Sequence, residues 1–337
     1  MTFLQVLWFI LIFVLIAGYF VLDGFDLGVG VLYPFLGKSD DEKALLRRVI
    51  GPVWDGNEVW LLTAGGALFA AFAPAYACTF SGFYLAIMLV LFGLIVRAVS
   101  LELYAHDKGN AHIWDALFFV GSLLPALLFG VAVGNVIEGI ALNANGDYTG
   151  GFFALLNPFA LVCGVLGLAQ CLLQGAAWIA LKTLPGRLHS LAVALRKTLA
   201  LSVLVVFGLA TLAYFTLGAS AAAGSVPVAA RIACVCVIVL PLVACMLLRN
   251  ASDLVQFALS SLACVGMVAL TATTLFPNIV PATDAALSIT VASAASSDAA
   301  LGAMTVITCI GLPLVLLYHF LVYRSFAGRV SSDDAAE

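Results

Sequence analysis

Charge is scarce in this sequence: 9% of its 337 residues are Asp, Glu, Lys or Arg, against 64% that are hydrophobic. A soluble globular domain carries roughly 25% charged residues, so this composition cannot cover a water-facing surface. The mean hydropathy of +1.16 points the same way. Histidine is rarer still, with 4 in the chain. His106, His112 and His189 fall in polar stretches between apolar runs, and His319 lies near the end of one. A b-type heme in a helical bundle usually takes histidine ligands at membrane depth, so this chain by itself makes a poor heme protein. The 8 cysteines include no C-x-x-C pair and sit mostly inside apolar runs, which suits small buried thiols better than disulfides or a metal centre. Walker A, dinucleotide, metal-cluster and Ser/His/Asp patterns are missing as well. No catalytic residue, no cofactor or metal ligand and no nucleic-acid partner is expected in this chain.

What the sequence does have is long apolar runs. Segments long enough to cross roughly 30 Å of hydrocarbon recur about nine times, near 4–32, 52–73, 77–104, 114–138, 153–181, 197–219, 226–248, 255–275 and 301–324. The runs are continuous over about 20 residues, whereas barrel strands alternate over about ten. The expectation is therefore an all-α polytopic membrane protein, with residues 1–337 forming one integral membrane domain.

Basic residues orient it. Lys38, Lys43, Arg47 and Arg48 follow the first span, Arg97 and Lys108 flank the end of the third, and Lys182, Arg187, Arg196 and Lys197 follow the fifth. Arg249 ends the seventh span and Arg324 and Arg329 close the ninth; only Arg231 lies opposite. Under the positive-inside rule that side is cytoplasmic, which puts the N-terminus outside and the C-terminus inside. The first segment lacks a basic leader and a small-residue cleavage site, so it reads as a retained span.

A few polar residues interrupt the runs. Asp23 and Asp26, three apart, share a face of the first span, and Gly24 and Gly28 let a neighbouring backbone approach. The stretch Gly51 to Trp60 places Asp55, Asn57 and Glu58 at the mouth of the second span, and the third delivers Arg97 and Glu102. With the N-terminus outside, five acids and one guanidinium from three spans come to one depth near the cytoplasmic face. Ionisable groups inside a membrane are costly unless paired or hydrated, and so mark functional sites. The plainer reading makes Arg97 a snorkelling boundary residue and sends Asp23 and Glu102 to the headgroups; it suits Asp26, Asp55 and Glu58 less, because Gly, Trp and apolar residues surround them.

Elsewhere the signals are structural. Residues 37–50 read as an amphipathic surface helix that is solvated or at headgroup level. Gln170 and Gln174, four apart, suit interhelical hydrogen bonds or a cavity contact. Residues 143–151 form a turn-rich connector, the outside loop 276–300 is too apolar for a disordered linker, and Tyr318 to Arg324 reads as an interface anchor. Two functions fit such a scaffold: a proton-coupled transporter, or a helper subunit of a redox machine. A transporter ought to show broken helices or internal repeats, and neither Asp23–Gly30 nor Trp54–Trp60 recurs in the second half.

Asp23-Gly24-Phe25-Asp26-Leu27-Gly28-Val29-Gly30 and Trp54-Asp55-Gly56-Asn57-Glu58-Val59-Trp60 through Ala71 closely resemble subunit II of cytochrome bd-type quinol oxidases, including cyanide-insensitive relatives. Phe80 to Tyr84, Leu155 to Phe159, Gln174 to Ala176, and the tail from Phe276 to Arg329 extend the resemblance over nearly the whole chain. It implies a heme-free subunit in the bacterial cytoplasmic membrane, paired with a larger subunit I that holds two b-type hemes and heme d and oxidises quinol. A small single-span subunit, membrane lipids and quinone are further possible companions by the same resemblance. It implies reduction of dioxygen to water with protons drawn from the cytoplasm. Trp54, Asp55 and Asp26 match positions tied to proton delivery or to assembly of the heme centre, and Arg97 matches an arginine ending the third span. Glu102 falls where some relatives have Asp, and Glu58 where some have Gln. The expected proton path runs from Asp55 through Glu102 and Asp26 toward the partner's oxygen-reducing heme, with Trp54, Glu58 and Arg97 beside it and Asp23 as a secondary candidate.

Overall fold

A computed structural model describes residues 1–104, 106–217, 226–248 and 250–330. Arg249, counted above among the cytoplasmic-side cations, lies outside the described residues, as do Gly218 and Ala219 of the sixth expected span. The chain is an all-α polytopic membrane protein. Eight helices among the described residues are long and apolar enough to cross a membrane: α1 (Phe3–Leu36), α5 (Tyr84–Leu103), α6 (Ala111–Glu138), α7 (Pro158–Lys182), α8 (Arg187–Thr216), α9 (Val228–Leu247), α10 (Asp253–Leu275) and α12 (Asp298–Ser325). Between them lie α2 (Asp40–Arg48), α3 (Trp54–Ala71), α4 (Ala73–Gly82) and α11 (Val291–Ala294).

One expected span, the third, needs correction. The second expected span is the 18-residue helix α3, less apolar than the eight because Asp55, Asn57 and Glu58 lie in its first turns. The third expected span, 77–104, is two helices. Phe72 breaks the first helical run, Pro74 sits at the start of α4, and a second break at Phe83 precedes α5. Proline without a backbone N–H is well placed in a first helical turn and poorly placed within a helix, so the chain restarts there.

α1 is the central element, packing on α3, α6, α7, α10 and α12. Its crossing with α7 is close: a Cβ added to Gly28 would stand 1.8 Å from the Cys171 carbonyl oxygen, and one added to Gly175 would stand 2.4 Å from the Gly28 carbonyl carbon. Helices in lipid associate by packing and not by hydrophobic exclusion, and small residues bring backbones together. Gly24 instead faces the Gln174 side chain.

At one end, loop 276–300 folds into a lid of β1 (Asn278–Val280) antiparallel to β2 (Ile289–Thr290), followed by α11. Ile140 N–H donates to Pro281 O there at 3.0 Å, and the Trp8 indole ties α1 to α12 through Leu301 O and Thr305 Oγ1, both at 3.1 Å.

At the other end, ion pairs bolt α2 down. Lys43 and Arg47 reach Asp115 of α6 at 2.6 and 3.0 Å, Tyr33 of α1 donates to the same carboxylate, and Arg187 of α8 reaches Glu42 at 2.6 Å. Arg196 and Arg329 meet on Asp253 at 2.8 and 2.7 Å. The solvated reading of residues 37–50 is therefore incomplete: Leu46 is buried, and two of the segment's cations are engaged by a neighbouring helix.

A buried ion cluster as the candidate functional site

Helical spacing of three residues puts Asp23 and Asp26 one turn apart on the buried side of α1. α5 approaches from the side and inserts Arg97, whose Nη2 donates to Asp23 Oδ1 at 2.6 Å and to Glu58 Oε1 of α3 at 2.5 Å. Arg97 and both α1 aspartates have no exposed surface, and the Glu58 side chain keeps 24% of its own. Arg97 therefore does not snorkel, and Asp23 does not reach the headgroups; an opposite charge within hydrogen-bonding distance holds each inside. Asp26 is treated differently. Its Oδ2 accepts from Asn57 Nδ2 at 2.7 Å, and Arg97 makes no hydrogen bond to it. Asn57 also donates to Leu22 O at 3.3 Å and accepts from the Tyr323 hydroxyl of α12 at 2.8 Å.

The cluster brings together four of the expected residues, Asp23, Asp26, Glu58 and Arg97. It does not include the other three. Asp55 is exposed, its Oδ1 accepting only from the Gly56 N–H at 2.7 Å. Glu102 is exposed and its carboxylate makes no hydrogen bond or ion pair among the described residues, and Trp54 is half-buried at the edge of α3. Among the described residues no side-chain bond joins any two of Asp26, Asp55 and Glu102. The reason is angular. Successive residues turn about 100° around a helix, so Asp55 and Asn57 point to nearly opposite sides of α3, and Glu102, five residues beyond Arg97, points well away from it. Asp55 still acts electrostatically on Glu58.

The sequence marks Asn57 as an amide between two acids at the mouth of the second span but gives it no partner. It gives Tyr323 no role beyond the Tyr318 to Arg324 anchor, yet Tyr323 turns inward, while Phe320 and Leu321 beside it are exposed. Gln170 and Gln174 satisfy both readings offered for them. They donate across helices to Ser260 O at 2.9 Å and Val21 O at 3.4 Å, and they line a cavity of about 600 Å³ among α6 to α10.

Among the described residues no three His, Cys, Asp or Glu side chains are grouped to hold a metal ion. Heme does not fit these histidines either. Both ring nitrogens of His319 are occupied, by the Trp60 indole at 3.1 Å and Val315 O at 3.0 Å. His189 pairs with Ala180 O at 3.0 Å, and His106 and His112 stand exposed beyond the spans.

Residues 4–326 match the family described as cytochrome bd terminal oxidase subunit II. Cytochrome bd-I ubiquinol oxidase subunit 2 of Escherichia coli (strain K12) is 35% identical over 366 residues, covering 98% of this chain and 96% of that protein. Cytochrome bd ubiquinol oxidase subunit 2 of Bacillus subtilis (strain 168) is 31% identical over 335 residues, 98% of each. The fold matches a chain from the structure of bd oxidase from Geobacillus thermodenitrificans with a TM-score of 0.79 over 96% of this chain and 99% of that one, at 15% identity. By sequence over nearly its whole length, and by fold, this chain belongs to the cytochrome bd terminal oxidase subunit II family.

Proposed function

We infer that the chain works as subunit II of a bd-type quinol oxidase, a respiratory terminal oxidase of the bacterial inner membrane that couples quinol oxidation to reduction of dioxygen to water. The observation that carries this is the 35% identity over 98% of the chain to an oxidase subunit of matching length. The transporter reading finds no support there. A heme-bearing subunit I is the partner, and it holds the two b-type hemes and heme d; a small single-span subunit, lipid and quinone complete the surroundings. The end of the bundle carrying the ion pairs of α2, Asp115 and Asp253 faces the cytoplasm, a placement supported by the basic residues gathered there.

Within that assembly the chain stabilises its partner and contributes a cytoplasmic proton-uptake path. Asp55 and Glu102, exposed on this chain, are open to a partner's surface, and Trp54 next to Asp55 is half-buried. Glu58 stands between Asp55 and the buried Arg97 and Asp23. Asp26, bonded to a neutral amide and not to the guanidinium, is the acid best suited to take and give a proton, because its charge is not committed to an ion pair.

The test is to purify the chain from its native membrane. Heme absorbance and quinol-driven oxygen consumption in the same fraction support the reading, and their absence from a homogeneous preparation refutes it. In that complex Asp55→Asn should slow oxygen consumption with the heme spectrum intact. Unchanged turnover would remove Asp55 from the path, and lost heme would make its role one of assembly.

A further inference from the structure

We propose that Asn57 and Tyr323 are positioning residues for Asp26: the α12 hydroxyl holds the Asn57 amide whose nitrogen donates to the Asp26 carboxyl. This rests on the reading of Asp26 as a proton carrier.

The amide of asparagine offers an acceptor on one side and donors on the other, and only its partners decide which faces where. Three partners surround Asn57. Leu22 O can only accept, and it lies 3.3 Å from Nδ2; Asp26 Oδ2 lies 2.7 Å from the same nitrogen. The remaining side, Oδ1, is satisfied by the Tyr323 hydroxyl at 2.8 Å. Asn57 has no exposed surface, so without that hydroxyl Oδ1 would be a buried acceptor lacking a donor, an arrangement proteins avoid. Leu22 O, which can only accept, keeps Nδ2 on the Asp26 side, and the hydroxyl on Oδ1 anchors and polarises the amide, strengthening its N–H donation to the carboxylate. Tyr323 thus favours the ionised acid through Asn57 without touching it.

The other groups around Asp26 do not duplicate this contact. Asp23 on α1, Glu58 on α3 and Arg97 on α5 act on it electrostatically, and Tyr323 acts on it from α12. Tyr19 on α1 and Cys171 on α7 face Asp23 and Arg97. Asn57 is the one side chain that hydrogen-bonds Asp26 among the described residues. α12 has a second consequence. Leu301 is its one buried residue, and most of its apolar side chains are exposed, so whatever packs on α12 sits one side chain away from the orientation of the Asp26 donor.

The experiment compares three variants of the intact oxidase complex, Tyr323→Phe, Asp26→Asn and the double variant, each measured for heme content and for quinol-driven oxygen consumption across pH. Tyr323→Phe should keep its hemes and move the acid limb of the profile upward by roughly one pH unit, the equivalent of about one hydrogen bond. The double variant should match Asp26→Asn alone, since a residue acting through another adds nothing once that other is gone. A Tyr323→Phe profile that overlays the parent, beside a slowed Asp26→Asn, overturns this proposal and leaves the proton reading of Asp26 standing. Parent-like turnover in Asp26→Asn overturns both. Loss of heme from Tyr323→Phe makes the hydroxyl a helix joint only, and overturns the proposal as well.

Discussion

Arg97 donates to Asp23 across 2.6 Å, and neither side chain has any exposed surface. The same guanidinium nitrogen holds Glu58 at 2.5 Å, so one cation joins α1, α3 and α5. Each of these helices carries a group the membrane would otherwise reject.

Replacing Arg97 should therefore dismantle the subunit. Arg97→Leu leaves Asp23 and Glu58 without a counter-charge, and breaking a buried pair in this way costs about 3–5 kcal/mol. The expected result is an oxidase complex with a markedly lowered melting temperature and depleted heme absorbance. A complex of parental stability would show that the carboxylates neutralise themselves by protonation without help.

Glu58→Gln should be mild by comparison. The amide keeps a hydrogen-bonding group against Arg97 while removing one of the negative charges gathered around a single guanidinium. Heme content should stay at the parental level and oxygen consumption within about twofold, whereas Asp26→Asn should lose about tenfold or more, the scale of a lost acid–base group. Equal losses in the two variants would remove the distinction drawn between the paired and the unpaired acid.

The α1 and α7 crossing offers a stability test with an internal control. A methyl at Gly28 would stand 1.8 Å from the Cys171 carbonyl oxygen, against backbone that cannot give way. Gly28→Ala should destabilise by about 1–3 kcal/mol through overpacking, read as a lower melting temperature of the complex. Gly66→Ala, where an added methyl meets nothing within 4 Å, should not. Similar melting of both variants would mean the helices part freely.

Acid should loosen the attachment of α2. Burial raises the Glu42 carboxyl, but the Lys38 backbone N–H, the Arg187 guanidinium and the Ser39 backbone N–H outweigh it and hold the group below its ordinary range. A carboxylate lowered on folding stabilises fully above its unfolded value, and that contribution disappears as pH falls through the folded one. With Arg187 half exposed, screening keeps the contribution at or below about 1 kcal/mol. Proteolysis of the 37–50 segment should therefore accelerate below about pH 4, and Glu42→Gln should show the faster rate already at neutral pH. A Glu42→Gln segment as resistant as the parent would assign the anchoring to Asp115 alone.

How much of this was legible beforehand differs from residue to residue. Apolar run lengths determined that the chain spans the membrane as helices, because only segments that satisfy their own backbone hydrogen bonds survive in lipid. The stretches Asp23–Gly30 and Trp54–Ala71 carried the family resemblance, and the positions of the acids along their runs carried a shared depth. Depth was not enough. Which acids meet depends on the rotation of each helix about its axis and on its neighbour, and neither is written in the spacing of one helix alone. Tertiary packing decided that Arg97 turns inward to Asp23 and Glu58, that Asp55 and Glu102 face outward, and that α12, remote in sequence, supplies Tyr323 to Asn57. The physical reason is that hydropathy measures how far a residue sits from water along the membrane normal, while a hydrogen bond of under 3 Å also requires two helices to agree in azimuth.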